Sequence, residues 1–213
     1  MYSNLGEIRG DSDQARLLGD LCRLTWIRQI LEIGTLDGTG STTTMLQAMQ
    51  TRENFNEVRF ISIEANQQAN ALAKANLSPV PSNVELLYGS LIHRDSPMML
   101  LGLSDEERVW LNDDSARRFQ APNLIAQMPD RLDLTVLDGG EFTTVSDYLI
   151  LRGRTSVFFL HDIEKRKNRY TVRLAREDGF VELFNDGNAS VLFHPQRTGE
   201  NSMSLFNLLG IKH

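Results

Sequence analysis

Two aspartates close short apolar runs in the second half of the chain. Leu132-Asp133-Leu134-Thr135-Val136-Leu137 stops at Asp138, and Ser156-Val157-Phe158-Phe159-Leu160 stops at His161-Asp162. Both runs have the length and residue types of strands. In an open parallel sheet, ligands bind beyond the carboxyl ends of the strands, so Asp138 and Asp162 would meet one ligand from neighbouring tips. Hard carboxylate oxygens placed this way suit Mg²⁺ or Ca²⁺. Glu141, His161 or Asn168 would complete the shell, and His161 would favour a softer ion such as Zn²⁺ or Mn²⁺. Glu141 and His161 are also the candidate general bases, one a carboxylate three residues past Asp138 and the other an imidazole with a near-neutral reference pKa.

A second group of residues suits a nucleotide-type cofactor. Ile30-Leu31-Glu32-Ile33 runs into Gly34-Thr35-Leu36-Asp37-Gly38-Thr39-Gly40-Ser41-Thr42, an acid followed by a glycine-rich turn. Glycine accepts positive φ and lets a ligand approach the backbone, and a helix beginning near Ser41 would aim its free N–H groups at the same place. The spacing G-x-x-x-G-x-G departs from the G-x-G-x-x-G of dinucleotide sites, which weakens an NAD reading. The run Val58-Arg59-Phe60-Ile61-Ser62-Ile63 then ends at Glu64, 24 residues beyond Gly40. An acid there can accept both hydroxyls of a ribose.

The Glu32-x-Gly34 turn resembles the first motif of class I S-adenosylmethionine-dependent methyltransferases, particularly the small metal-dependent O-methyltransferases related to catechol O-methyltransferase. The resemblance covers roughly residues 14 to 194. It implies an S-adenosylmethionine site at Glu32, Gly34, Gly38, Gly40, Ser41, Glu64, the Ser90 turn and Asp138, with the Ser90 turn against the adenine. It implies a divalent metal on Asp138 and Asp162, and a catalytic group drawn from Asp138, Glu141 and His161. Three positions depart from the family pattern: Ile163 replaces an amide or acid, Glu141 replaces a basic lysine, and Ser90 replaces an acid.

These residues need a scaffold of alternating helices and strands. An apolar pattern at Ala15, Leu18, Leu21, Cys22, Leu24 and Trp26 predicts a helix over about 13–29, with Asp11 to Asp13 as its capping segment. Further helices are expected at about 42–49 and 67–75, and a third strand at Val84–Tyr88 before Gly89-Ser90. Pro79 and Pro81 close the second of these helices. Such alternation implies a parallel sheet with right-handed crossovers. Phe180–Phe184 and Ser190–Phe193 flank Asn185-Asp186-Gly187-Asn188-Ala189 and read as a hairpin. The expected class is α/β: a Rossmann-like, doubly wound, mostly parallel seven-stranded sheet with a C-terminal antiparallel hairpin. One domain over 1–213 is expected, with a lid insertion at 93–130 that carries Pro97, Trp110, Leu111 and Phe119.

Composition narrows the function classes. A formal charge of −6 and a pI near 5.3 argue against a nucleic-acid surface. No apolar run approaches the length of a membrane span. The single cysteine, Cys22, forms no internal disulfide, and a cytoplasmic setting is expected. The run Lys165-Arg166-Lys167-Asn168-Arg169 reads either as a solvated helix start or as a rim for an anionic substrate. The expected function is S-adenosylmethionine-dependent O-methylation of a hydroxylated small molecule or sugar, with or without metal assistance. An NAD-dependent oxidoreductase and a non-catalytic cofactor-binding scaffold are the alternatives, and a homo-oligomer is left open.

Overall fold

A computed structural model describes Ile8, Gly10, residues 12–92, Ser96 and residues 102–211. The expected cap residue Asp11 and, within the expected insertion, residues 93–95 and 97–101 lie outside the described residues. Helix α1 spans Asp13–Arg23 and is capped by the Ser12 hydroxyl, which accepts from the Ala15 N–H at 3.1 Å. It ends before Gln29, short of the expected length. The Arg52 guanidinium explains the early stop, because it donates to the carbonyls of Cys22 (3.0 Å), Thr25 (3.0 Å) and Ile27 (2.7 Å) that would otherwise continue the helix.

The chain continues as β1 (Gln29–Ile33), α2 (Ser41–Gln50), β2 (Arg59–Glu64), α3 (Gln67–Asn76) and β3 (Val84–Tyr88). Helix α4 (Asp105–Gln120) precedes β4 (Leu132–Leu137), α5 (Thr144–Leu151), β5 (Thr155–His161) and α6 (Arg166–Glu177). The hairpin β6 (Val181–Asn185) and β7 (Ala189–Phe193) follows, then the short α7 (Pro195–Thr198) and α8 (Ser202–Leu208). The sheet order is β3-β2-β1-β4-β5-β7-β6. Strands β1 to β5 are parallel, whereas β7 lies antiparallel between β5 and β6. This is the expected seven-stranded, Rossmann-like sheet with its C-terminal hairpin.

Side chains alternate across the sheet with period two. Ile30, Phe60, Val157 and Phe159 face one core with α1, α2 and α8. Leu31, Ile61, Phe158 and Leu160 face the other with α5 and α6. Covering both faces of parallel strands explains why β5 reads as a continuous apolar run. The order reverses between β1 and β4, and the crevice at that switch point is where an open sheet binds ligands.

Helix α4 begins with a capping box in which Ser104 and Glu107 satisfy each other's backbone N–H. Its most buried side chain is not apolar. Arg118, 6% exposed, donates to Asp147 of α5, 0% exposed, at 2.6 Å. Removing one partner of a buried ion pair leaves an uncompensated charge, so Asp147→Asn should cost about 3–5 kcal/mol in urea unfolding. A loss below about 1 kcal/mol would mean that α4 is not anchored through this pair.

Candidate functional site

The β1 loop sets the first wall of the site. Gly34 adopts φ +107°, and a Cβ there would stand 2.4 Å from the Asp138 carbonyl oxygen, so the β1 and β4 tips touch backbone to backbone. Just before it, Glu32 is fully buried. Its Oε1 accepts from Ser41 at 2.5 Å, and its Oε2 accepts from Thr42 at 2.7 Å and Ser62 at 2.5 Å. One carboxyl thus joins β1, β2 and the first turn of α2. Burial raises its pKa to about 7 despite these three donors.

A cavity of about 410 Å³ opens over this loop. Its lining includes Gly34, Gly40, Ser41, Glu64, Ser90, Asp138 and Asp162, so seven of the residues expected from sequence converge on one space. Glu64 closes β2 with Oε2 accepting from Leu36 N–H at 2.8 Å and Oε1 from Asn66 N–H at 2.7 Å. Burial raises its pKa against those hydrogen bonds. Ser90 is held at the β3 tip by Pro122, whose carbonyl accepts its N–H at 2.9 Å.

Four expected residues stand elsewhere. Glu32 lies behind the wall, with its oxygens committed to hydroxyls. Gly38 does not line the cavity; a Cβ there would meet Leu77 Cδ1 at 2.8 Å, so this glycine lets the loop pack on α3. His161 is 2% exposed and both ring nitrogens are engaged, Nδ1 with Asp138 Oδ2 at 3.2 Å and Nε2 with the Asn188 amide at 3.2 Å. In the neutral ring this pattern has Nδ1–H donating and Nε2 accepting. Glu141 lines a second, neighbouring cavity of about 450 Å³ with Glu107, Trp110, Lys165, Arg166, Arg169 and Tyr170.

Lys167, read from the sequence only as part of a basic run, is the group whose place in the site that reading did not indicate. Within the basic run, α6 turns Lys167 and Asn168 inward, whereas Lys165 and Arg169 stay exposed. Lys167 Nζ lies 2.7 Å from Asp138 Oδ1 and 3.0 Å from Asp162 Oδ2 while itself lining the cavity. Asn168 Nδ2 donates to the Leu137 carbonyl at 3.2 Å and the His161 carbonyl at 2.5 Å, which ties the β4 and β5 ends together and leaves Oδ1 buried without a partner. The inward stripe of Thr171, Val172 and Ala175 one turn on was the available signal.

The charges at this corner settle one another. Burial pushes the Asp138 carboxyl up, but the Lys167 ammonium and the His161 hydrogen bond outweigh it and hold its pKa at about 2. Burial lowers the Lys167 pKa, and Asp138 and Asp162 more than reverse that, leaving it raised. Asp162 sits at φ +56°, a left-handed conformation that aspartate tolerates better than most residues.

Does this corner fit a divalent metal? Asp138, His161 and Asp162 offer ligand atoms within 4.8 Å of one another. Yet Lys167 already spans both acids, and Lys165 Nζ adds a second ammonium 3.2 Å from Asp162 Oδ2. Like unit charges about 4 Å apart repel by about 4 kcal/mol near a protein surface, and a dication by more. The residues present do not fit the ion.

Helix α4 supplies the remaining wall with Asp114, Arg117 and Arg118. Gly139 and Gly140 admit it, since a Cβ at either would collide with Arg118 Nη2 at 2.4 Å or Asp114 Oδ2 at 2.0 Å. Of the residues the expected lid carries, Trp110, Leu111 and Phe119 do not line this cavity: Trp110 is 51% exposed, and charged side chains of α4 make the contact.

Comparison with known proteins agrees with this architecture. No family model matches the sequence, and no curated protein matches it. Among solved structures, the chain is similar to a protein assigned as a caffeoyl-CoA O-methyltransferase from Staphylococcus aureus, with TM-score 0.57 and 14% identity over 88% of this chain and 86% of that one. The chain has the class I methyltransferase fold. An O-methyltransferase from Bacillus cereus in complex with S-adenosylhomocysteine matches with TM-score 0.53 and 14% identity over 89% of this chain and 84% of that one. A precorrin 8w decarboxylase from Methanobacterium thermoautotrophicum matches with TM-score 0.51 and 14% identity over 90% and 94%. At these identities the likeness is one of fold, so the chemistry of this methyltransferase-fold chain has to be argued from its own residues.

The Glu32 carboxyl gives a pH signature. A folded pKa near 7 against an ordinary 4.5 means that the folded state holds the proton longer, so stability should fall as pH rises from 4.5 to 7. The Glu32 share of that loss is about 3 kcal/mol. Urea midpoints of wild type and Glu32→Gln across this range should therefore show the wild type losing stability relative to the variant; a constant gap would refute the assignment. For Gly34→Ala, the strained φ and the backbone collision should together cost about 2–5 kcal/mol in the same assay.

Proposed function

We propose that this chain is a methyltransferase that uses S-adenosylmethionine to methylate a hydroxyl oxygen of a small molecule or sugar at the Asp138–Asp162 end of the cavity. One observation carries the reading: a single cavity connects the Gly34–Ser41 loop and the Glu64 carboxylate to two acids at the β4 and β5 tips. When bound, the cofactor supplies an electrophilic sulfonium methyl. The transfer turns a hydroxyl and a sulfonium into a methyl ether, a thioether and one released proton.

The residues must bind, orient and remove that proton. Glu64 keeps lone pairs for ribose hydroxyls beyond its two backbone bonds. The second cavity offers the acceptor exposed Trp110 and Tyr170 faces beside Lys165, Arg166 and Arg169. That composition suits a flat or anionic acceptor. Glu141 lines the same cavity, and burial raises its pKa above the usual carboxylate value, which makes it the better base. His161, committed on both nitrogens, positions Asp138. Helix α4 lines both cavities and is the lid of this reading.

Calorimetric titration with S-adenosylhomocysteine, with NAD as control, tests the proposal. Micromolar binding of the homocysteine product is expected; binding of NAD instead, or of neither, would overturn it. Glu64→Ala should weaken the product by about 2 kcal/mol, roughly thirtyfold, if its carboxylate accepts ribose hydroxyls. With an acceptor in hand, Glu141→Gln should lower kcat by about 10²–10⁴ while product affinity stays unchanged.

A further inference from the structure

We propose that the Lys167 ammonium is the resident cation of the acceptor site, standing where a divalent ion would otherwise neutralise the two acids and hold the acceptor oxygen. The proposal rests on the methyl-transfer reading above for the identity of the acceptor, but its geometry is independent of that reading.

Three observations carry it. Lys167 Nζ lies within hydrogen-bond distance of Asp138 and Asp162 at once, 2.7 and 3.0 Å away, so one ammonium from α6 bridges both carboxylates. An ammonium has three donors. Two are taken by the acids, and because Lys167 also lines the cavity, the third is left for an oxygen there. Finally, the acids are fixed from behind rather than by an ion. His161 Nδ1 holds Asp138 Oδ2, while Lys165 and Lys167 together hold Asp162 in its left-handed conformation.

The substrate class follows from donor counting. A divalent ion has several open positions and can grip two adjacent oxygens of a diol. One remaining N–H addresses one oxygen. The site therefore takes an acceptor with an isolated hydroxyl as readily as one with a vicinal diol, and no added metal is needed to orient it.

The probe is Mn²⁺ alone, followed by the loss of its free-ion electron paramagnetic resonance signal on titration with protein. Wild type should show no binding tighter than on the order of 1 mM. Lys167→Met, which removes the ammonium and keeps the stem, should bind at least tenfold tighter, because the cation bridging Asp138 and Asp162 is gone while Asp138, His161 and Asp162 still offer ligand atoms within 4.8 Å of one another. Wild-type binding as tight as that of the variant would overturn the proposal, and so would absence of binding by both proteins. Should K167M fail to fold, wild type decides. Micromolar Mn²⁺ binding that Asp162→Asn abolishes refutes the inference, and no binding up to millimolar metal supports it. Product titration without metal separates the two readings: loss of S-adenosylhomocysteine binding sinks the methyltransferase proposal, whereas the Mn²⁺ result bears on Lys167 alone.

Discussion

The tips of β1 and β4 meet with no side chain between them. Gly34 faces the Asp138 carbonyl so closely that a Cβ would sit 2.4 Å from it, and the rest of the site follows from that contact. It brings the cofactor-type loop after β1 and the acid after β4 to the edge of one crevice. It also requires the loop to leave β1 at positive φ, which turns Leu36 N–H toward Glu64 on the neighbouring strand. The buried Glu32 carboxyl works on the other side of the same loop, drawing Ser41 and Thr42 of α2 and Ser62 of β2 together. Hydroxyl donors on a desolvated carboxyl are worth more than in water, and an unpaired one would be costly. The loop is therefore held from behind by hydrogen bonds and in front by sterics.

Two buried cations, Lys167 and Arg118, make the buried acids tolerable. Asp138 and Asp162 would repel each other across a partly desolvated space, and Lys167 removes that repulsion from within the site. Arg118 does the equivalent for Asp147 beneath α4, and glycines at 139 and 140 let that helix approach. Both cations arrive on helices that cross the strand tips, so the electrostatic balance of the site and the placement of its walls are one arrangement. A change that frees either helix also unpairs a buried acid.

The sheet was largely legible in the sequence because strands buried on both faces are apolar throughout and stop at polar residues. Strands β3 and β4 fall at the expected residues, and the glycine turn and Glu64 meet in one cavity as the spacing implied. Harder to read was which charged residues turn inward. Lys167 lies in a run of four cations, and only the phase of α6, set by Val172 and Ala175 packing on the sheet, separates it from its solvated neighbours. Arg118 lies in a helix with little apolar stripe, so its burial has no periodic signature. The end of α1 was set by Arg52, a side chain about thirty residues away, which local propensity cannot register. Glu141 and His161 were rival candidates for the base, yet a strand-end residue whose ring is held by Asp138 and by Asn188 of the hairpin turn and a loop residue beyond the β4 tip serve different spaces.

The position of α4 joins these points into a statement about function. One flank of the helix lines the cavity over the β1 loop through Asp114, Arg117 and Arg118; an earlier turn lines the second cavity through Glu107 and Trp110. Its contacts to the body are polar: Arg118 to Asp147, Asp114 to the Phe142 N–H at 3.4 Å, and Glu107 to Arg166 at 3.2 Å. The part-buried contacts at Glu107 and Asp114 can exchange for water or ligand at small cost, whereas the buried Arg118–Asp147 pair is costly to break and anchors the far end of the helix. A helix held this way, over two adjoining cavities, can respond to occupancy of either. Arg166 is the point where that response would reach α6 and, one residue on, Lys167. In the proposed methyl transfer, Arg166 of the acceptor wall and the Lys167 ammonium would be adjacent residues of one helix, which would tie acceptor recognition to the order of the acidic corner.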